Sequence, residues 1–194
     1  MSDLYHSRNR IWQDQFDSRR LADRLEKVIV HDEIEDRDRE FIESRDMFFI
    51  STVDAMGRPT VSYKGGQVGF VRVVDTKSIA FPGYDGNGMF LTAGNIASRE
   101  DVGLLFIDFE NPMRIRLHGT ATVCSNDPLL DEYAEAQFIV RVKVRNMFVN
   151  CPRYIHKYKK LDTSKFVPRQ GCTTPTPEWK TSDEFEGVLP RDKS

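Results

Sequence analysis

No stretch of this 194-residue chain stays apolar for the ~18 positions that a membrane-crossing helix needs, which excludes a helical span. The polar start, Met1–Arg10, carries Asp3, Arg8 and Arg10 around no apolar core, so it does not read as a secretory signal. Cysteine is scarce: Cys124, Cys151 and Cys172 form an odd set without CxxC spacing. That pattern points to reduced thiols in a cytoplasmic protein and against a disulfide framework. The histidines, His6, His31, His118 and His156, are scattered, none with a second ligand at metal-binding spacing, so no metal site is expected. An excess of one charge is also missing. Lys and Arg number 28 against 30 Asp and Glu, a formal net charge of -2, so nothing global draws the chain to nucleic acid or an anionic membrane. Any anion site must be a local cluster. Neither GxGxxG ahead of a helix nor GxxxxGK followed by Ser or Thr occurs, so the common nucleotide-fold signatures are absent.

What is present divides into three zones of one domain: a helical segment over 1–45, a strand-rich body over 46–160 and a Pro-rich arm over 161–194. In the first zone Leu21, Leu25 and Val28 fall on one helical face amid charge, and Phe41 and Ile42 lie opposite a second charged surface. These read as amphipathic helices packing on something larger. From Met47 the pattern switches to strands: Met47–Asp54, Pro59–Lys64, Val68–Val74, Ser78–Phe81, Gly103–Phe109, Met113–Cys124 and Phe138–Val149. Gly103–Phe109 is apolar enough for burial on both faces, and Gly119 marks a bulge or bend inside its strand. Asp127 followed by Pro128 opens a helix whose buried face is Leu129, Leu130, Tyr133 and Ala134. Strands in close succession with few helices argue for an antiparallel barrel or sandwich. Pro168, Pro175, Pro177 and Pro190 leave the tail as a wrapping arm or disorder.

Four groups of residues invite chemistry. Phe81–Pro82–Gly83–Tyr84–Asp85–Gly86–Asn87–Gly88 follows a strand, and its glycines let backbone amides approach a ligand, although taken alone an ordinary Gly/Asn/Asp turn is the favoured reading. Ser62–Tyr63–Lys64–Gly65–Gly66 ends a strand with a lysine able to meet a phosphate as a point charge, or simply to face solvent before a turn. Arg114/Arg116/His118 and Arg141/Lys143/Arg145 are basic strand faces that need an anion or acidic side chains among them, the N-terminal helices being rich in the latter. Cys151 in Asn150–Cys151–Pro152–Arg153–Tyr154 has a neighbouring cation but no nominated base, so covalent catalysis is not expected.

Together the strings FFISTVDAMGRPTVSYKGGQVGFVRVVD, IAFPGYDGNGMFLTAGNIA and VGLLFIDFENPMRIRLHGTATV, with the later NCPRYI, resemble the pyridoxamine 5′-phosphate oxidase-related FMN-binding proteins over roughly residues 35–160. The resemblance implies a mainly β (α+β) fold, a six-stranded antiparallel split β-barrel with flanking helices. It implies a homodimer with FMN at the subunit interface. Carried over by motif position, Ser62, Tyr63 and Lys64 would hold the cofactor, Phe81 and Pro82 would lie along its isoalloxazine ring, and Asn87 and Asn95 would sit near the ribityl chain or phosphate. Asn150 and Arg153 would come from the same or the partner subunit.

The chain departs from the vitamin B6 oxidases of that family. Their Ser–Arg–Lys phosphate grip is replaced here by Gly86–Asn87–Gly88, and their C-terminal segment bearing arginine and histidine is missing. A true pyridoxamine-phosphate oxidase is therefore not expected, and Lys64, backbone amides or another cation such as Arg72 must serve the phosphate. The implied activity is flavin-dependent oxidoreduction of a small molecule, with a nicotinamide cofactor (NADH or NADPH) or oxygen as the redox partner. The alternatives are a non-catalytic FMN carrier, store or redox sensor, and a barrel that has lost FMN. Catalytic residues are not nominated, since hydride passes directly between substrate and flavin. Trp179 in the arm would fold over the flavin, clamp the partner, or cover a core edge of its own subunit.

Overall fold

Alternating apolar residues become strands only when one face finds cover, and here they do so in a single antiparallel sheet. The computed structural model describes residues 4–190; Met1–Asp3 of the polar start and residues 191–194 of the arm lie outside that range. The strands are β1 (Met47–Val53), β2 (Pro59–Gly65), β3 (Arg72–Asp75), β4 (Ser78–Tyr84), β5 (Asp101–Asp108), β6 (Met113–Cys124) and β7 (Ala136–Val149). Their order is β2-β1-β5-β6-β7-β4-β3. The count is seven where the resemblance implies six, because the short β3 pairs as an edge strand with β4. β3 begins at Arg72 and not Val68, since the chain first turns through Gln67–Phe70, with Gly69 at a φ of 82°. β5 alternates instead of burying both faces: Val102, Leu104 and Phe106 point into the core and the residues between them are half-covered.

The sheet curls. Phe48 of β1 meets Phe81 of β4 edge-on, ring centroids 4.9 Å apart, although three strands separate β1 from β4 in the sheet order. Phe106 and Phe70 complete the cluster at 5.2 and 5.8 Å from Phe48, which is fully buried. The bend is eased where the β6–β7 register shifts between His118 and Gly119. A Cβ at Gly119 would stand 2.2 Å from the carbonyl oxygen of Lys143, so the two strands approach there as only glycine permits. β2 and β4 do not pair across the curl, which leaves a seam between them.

Among the described residues four α-helices accompany the sheet: α1 (Ser7–Gln15), α2 (Arg19–Ile29), α3 (Asp36–Glu43) and α4 (Leu91–Ser98). α3 lays Phe41 and Ile42 on the core. His31 tethers it from outside, its Nε2 2.9 Å from the Asp38 carboxylate, while the backbone of His31 bridges to Met147 on β7. The expected packing of Leu21, Leu25 and Val28 is not found. They are 60%, 40% and 60% exposed, because α2 packs on the equally exposed α1 and that face is left largely uncovered among the described residues. No described helix is long and apolar enough to cross a membrane. The segment opened by Asp127 is a 3-10 turn over Pro128–Glu132, half-buried rather than buried, with the Asp127 side chain accepting from the Leu129 amide as an N-cap.

The basic strand faces find carboxylates, but on the barrel and not on the N-terminal helices. Arg141 grips buried Asp127 through two hydrogen bonds of 2.5 and 2.8 Å, and Arg145 pairs with Asp101. Arg114 donates to the Cys151 carbonyl, while Arg116 lies over the Phe148 ring.

Two outcomes are expected. Gly119→Ala should cost about 1–3 kcal/mol in urea unfolding, as overpacking against a backbone oxygen does. Asp127→Asn should lower neutral-pH stability by about 2 kcal/mol, the scale of a charge-assisted hydrogen bond. Arg141 holds the Asp127 carboxyl below the usual aspartate range, so the contribution is full above that range and is lost as pH falls through the lowered folded value. The gap between parent and variant in thermal unfolding should accordingly narrow below about pH 4.

Candidate functional site

The seam between β2 and β4 opens into a cavity of about 440 Å³, within the size range of small-ligand sites. β2 contributes Ser62, Tyr63 and Lys64 to one wall. β4 contributes Phe81, Pro82 and Gly83 to the other, backed by Phe138 and Val140 of β7. The loop Asp85–Phe90 forms the rim, and α4 starts at the floor with Leu91, Thr92 and Ala93.

The walls differ in chemistry. Gly83 pairs with Phe138 in the β4–β7 ladder, and a Cβ at Gly83 would lie 2.1 Å from the Phe138 ring. The missing side chain lets this phenyl ring lie across the strand and present a flat apolar wall. Phe90 tilts toward it with centroids 6.3 Å apart. Tyr84 is desolvated, which pushes its phenol up to about 12, so it stays protonated and able to donate.

Opposite them lies a cation with no counter-charge. Burial pushes the Lys64 ammonium below the usual lysine range, and among the described residues no carboxylate forms an ion pair with it. The first amides of α4 border the same space without partners inside the helix, since the first bond within α4 is Gly94 N–H to the Phe90 carbonyl. Phe90 adopts a φ of 49° to start the helix there. The Thr92 hydroxyl donates to the Ser62 hydroxyl at 3.3 Å and ties helix to strand. A half-buried ammonium, two hydroxyls and helix-end amides beside flat aromatic walls can hold a molecule with an anion at one end and a planar ring at the other.

Of the residues singled out in the sequence, Ser62, Tyr63, Lys64, Phe81, Pro82 and Asn87 line this cavity. Phe81 does so from the core side, its ring being 1% exposed against Phe48. Asn87 accepts from the Met89 amide and so shapes the rim loop. Asn95 is buried behind the floor, donating to the Thr52 hydroxyl at 3.0 Å, outside the lining. Asn150 and Arg153 lie beyond β7 and do not border it. Arg72 is engaged by Glu132 and stacks over Tyr133, which leaves Lys64 as the cation at the seam. Trp179 packs edge-on against Phe185, while its neighbour Lys180 pairs with Asp85 on the cavity rim. Sequence reasoning missed Phe138 and Thr92. Phe138 carries no local signal, because its role depends on the β4–β7 pairing, and α4 was hidden by Thr92 and Gly94, poor helix formers after a glycine-rich stretch.

The sequence model of the pyridoxamine 5′-phosphate oxidase family matches residues 34–156. Among solved structures, a putative pyridoxamine 5′-phosphate oxidase from Lactobacillus delbrueckii is 21% identical with a TM-score of 0.50, over 61% of this chain and 95% of its own. An FMN-binding protein from Syntrophomonas wolfei is 9% identical with a TM-score of 0.47, over 72% and 97%. HutZ, the heme storage protein from Vibrio cholerae, is 18% identical with a TM-score of 0.45, over 60% and 94%. At 21% identity the likeness to the Lactobacillus protein is one of fold. No curated protein matches the sequence.

Exposed Cys151, outside the cavity, has its thiol held below the ordinary range by the Arg153 guanidinium beside it. Limited alkylation with iodoacetamide at pH 7.5, read by peptide mass spectrometry, should label Cys151 ahead of Cys172 and Cys124. Arg153→Gln should remove that lead.

Proposed function

The chain belongs to the pyridoxamine 5′-phosphate oxidase family, and from that premise we propose that it binds FMN in the seam cavity and serves as a flavin-dependent oxidoreductase for a small molecule. One observation carries the reading: the half-buried Lys64 ammonium stands at a cavity wall, and among the described residues no carboxylate pairs with it. Such a charge is costly unless an anion completes it, and the FMN phosphate is an anion of the right kind. Ser62, Thr92 and the α4 amides would share the phosphate with Lys64. Pro82, Gly83 and Phe138 would flank the ring, and Tyr84 would supply a protonated donor. Bound there, the flavin supplies the redox chemistry; the residues orient it and exclude water.

Tyr63, Met89 and Phe90 at the cavity mouth are more than half exposed, an apolar rim that supports a homodimer with the cofactor shared between copies. In that assembly Asn150 and Arg153 reach the cavity of the other copy. The electron donor is a nicotinamide cofactor. The carboxylate of the lining, Asp85, is held by Lys180, which also suits a protein that stores or carries FMN without turnover. Anaerobic stopped-flow with NADH and NADPH separates the two: bleaching of the flavin band by either supports the oxidoreductase.

Lys64→Met tests the cofactor assignment. The parent should bind FMN more tightly than riboflavin, and the variant should lose about 10- to 100-fold in FMN affinity while its riboflavin affinity holds, the scale of one charge-assisted bond. The variant's cofactor-free form should also melt higher than the parent's. A lysine whose folded pKa is depressed withholds stability at neutral pH and returns it only as pH rises through that value. Unchanged FMN affinity in Lys64→Met sinks the phosphate assignment.

A further inference from the structure

A second cavity, of about 850 Å³, shares the wall of Tyr63, Gly65, Tyr84 and Asp85 with the first. Its far side is built by the arm. The Tyr158 amide donates to the Phe109 carbonyl and the Lys160 amide to the Glu110 carboxylate, which holds residues 158–168 against the β5–β6 turn as an outer wall. Lys160 and Asp46 close one end as an ion pair, and Lys180 binds Asp85 at the shared wall. The arm therefore roofs a chamber next to the seam.

The lining of the chamber selects among ligands. Tyr63, Tyr84, Phe109, Tyr158 and Phe166 bring aromatic surface to it, with Phe109 and Tyr158 edge to face at 5.5 Å. Two of its three lining cations are already committed. Arg45 pairs with Asp108 at 2.8 Å and lies over the Phe41 ring, while Lys160 is held by Asp46. What remains at the wall is Lys159 against Glu110 and Asp162, so the free charge is acidic. A phosphate or carboxylate would meet repulsion and no unpaired guanidinium, whereas aromatic rings and carboxylates attract flat neutral or cationic molecules.

We propose that this chamber is the binding site for a second ligand, a planar aromatic molecule that is uncharged or cationic and carries no phosphate. The proposal rests on the flavin reading only in making this ligand the neighbour of the cofactor across Tyr63 and Tyr84. It separates the two cavities by charge: the seam takes the anion and the chamber refuses one. Nicotinamide dinucleotides, with their pyrophosphate, are not its occupants, and neither are phosphorylated B6 vitamers.

Equilibrium dialysis of the full-length chain, with and without FMN, tests this with three probes: methylene blue (cationic), menadione (neutral) and anthraquinone-2-sulfonate (anionic). Methylene blue and menadione should each bind at least about tenfold more tightly than the sulfonate, the preference that one net negative charge imposes at short range. The double variant Glu110→Lys, Asp162→Lys should shift the order toward the sulfonate, and Phe166→Ala should weaken methylene blue about tenfold by loss of a stacking wall. Both positions are on the surface, and the milder Asp162→Asn, with an unchanged melting midpoint, serves if the double variant is unstable; it should weaken methylene blue alone. Equal or tighter binding of the sulfonate by the parent, or Phe166→Ala leaving every affinity unchanged, overturns the proposal. Flavin absorbance reads FMN binding separately. Failure of FMN to bind with the probe order intact removes the flavin reading and leaves the chamber standing; normal FMN binding with the order reversed does the opposite.

Discussion

The contact on which the rest depends is that of Phe48 with Phe81, two phenyl rings from strands that the ladder keeps three strands apart. A flat sheet cannot make it. Burying these rings together with Phe70 and Phe106 removes large apolar areas from water and forces the sheet to curl. The curl in turn brings β2 alongside β4 without pairing them, and the seam so created holds the cavity. Gly119 matters for the same reason: the register shift beside it is where the longest ladder, β6 with β7, takes up the bend.

Charge follows a consistent pattern over this frame. Arginines along β6 and β7 are matched by Asp127, Asp101, a carbonyl or a ring, so the basic faces read from the sequence are structural. Arg72 is likewise taken by Glu132. Lys64 differs. It is partly buried, it has no carboxylate, and it stands at the wall of the seam beside the start of α4. The chamber next door inverts this balance: Arg45 and Lys160 are paired, and the one remaining lysine, Lys159, faces two carboxylates, so adjacent spaces on one scaffold favour ligands of opposite kind.

The two ends of the chain behave unlike each other. α1 and α2 bury none of their residues and leave Trp12, Phe16, Leu21 and Val28 exposed, although helices of this length gain most of their stability from packing. The arm, which carries almost no regular structure, is fastened by Lys160, Lys180 and the backbone of Tyr158 to the mouth of the barrel. Propensity pointed the other way in both cases, because it measures local preference and not the availability of a surface to cover.

By itself the sequence determined what depends on near neighbours. Period-two alternation in β1, β2, β6 and β7 marks strands because successive side chains leave a pleated backbone on opposite faces. The bulge at Gly119 and the cap at Asp127 were legible because a missing Cβ and a side-chain acceptor act within a few residues. Lys64 was legible as a candidate from the lysine and glycines that end β2, and Ser62 from its place beside it. Only the tertiary structure decided that Lys64 meets no carboxylate among the described residues while Arg141 meets one, that Asn95 serves Thr52 behind the cavity floor, and that Phe138 walls the site. Each of these depends on which distant strand or loop arrives opposite a residue. Such an arrival is set by the closure of the whole sheet around Phe48, and no local pattern of side chains encodes it.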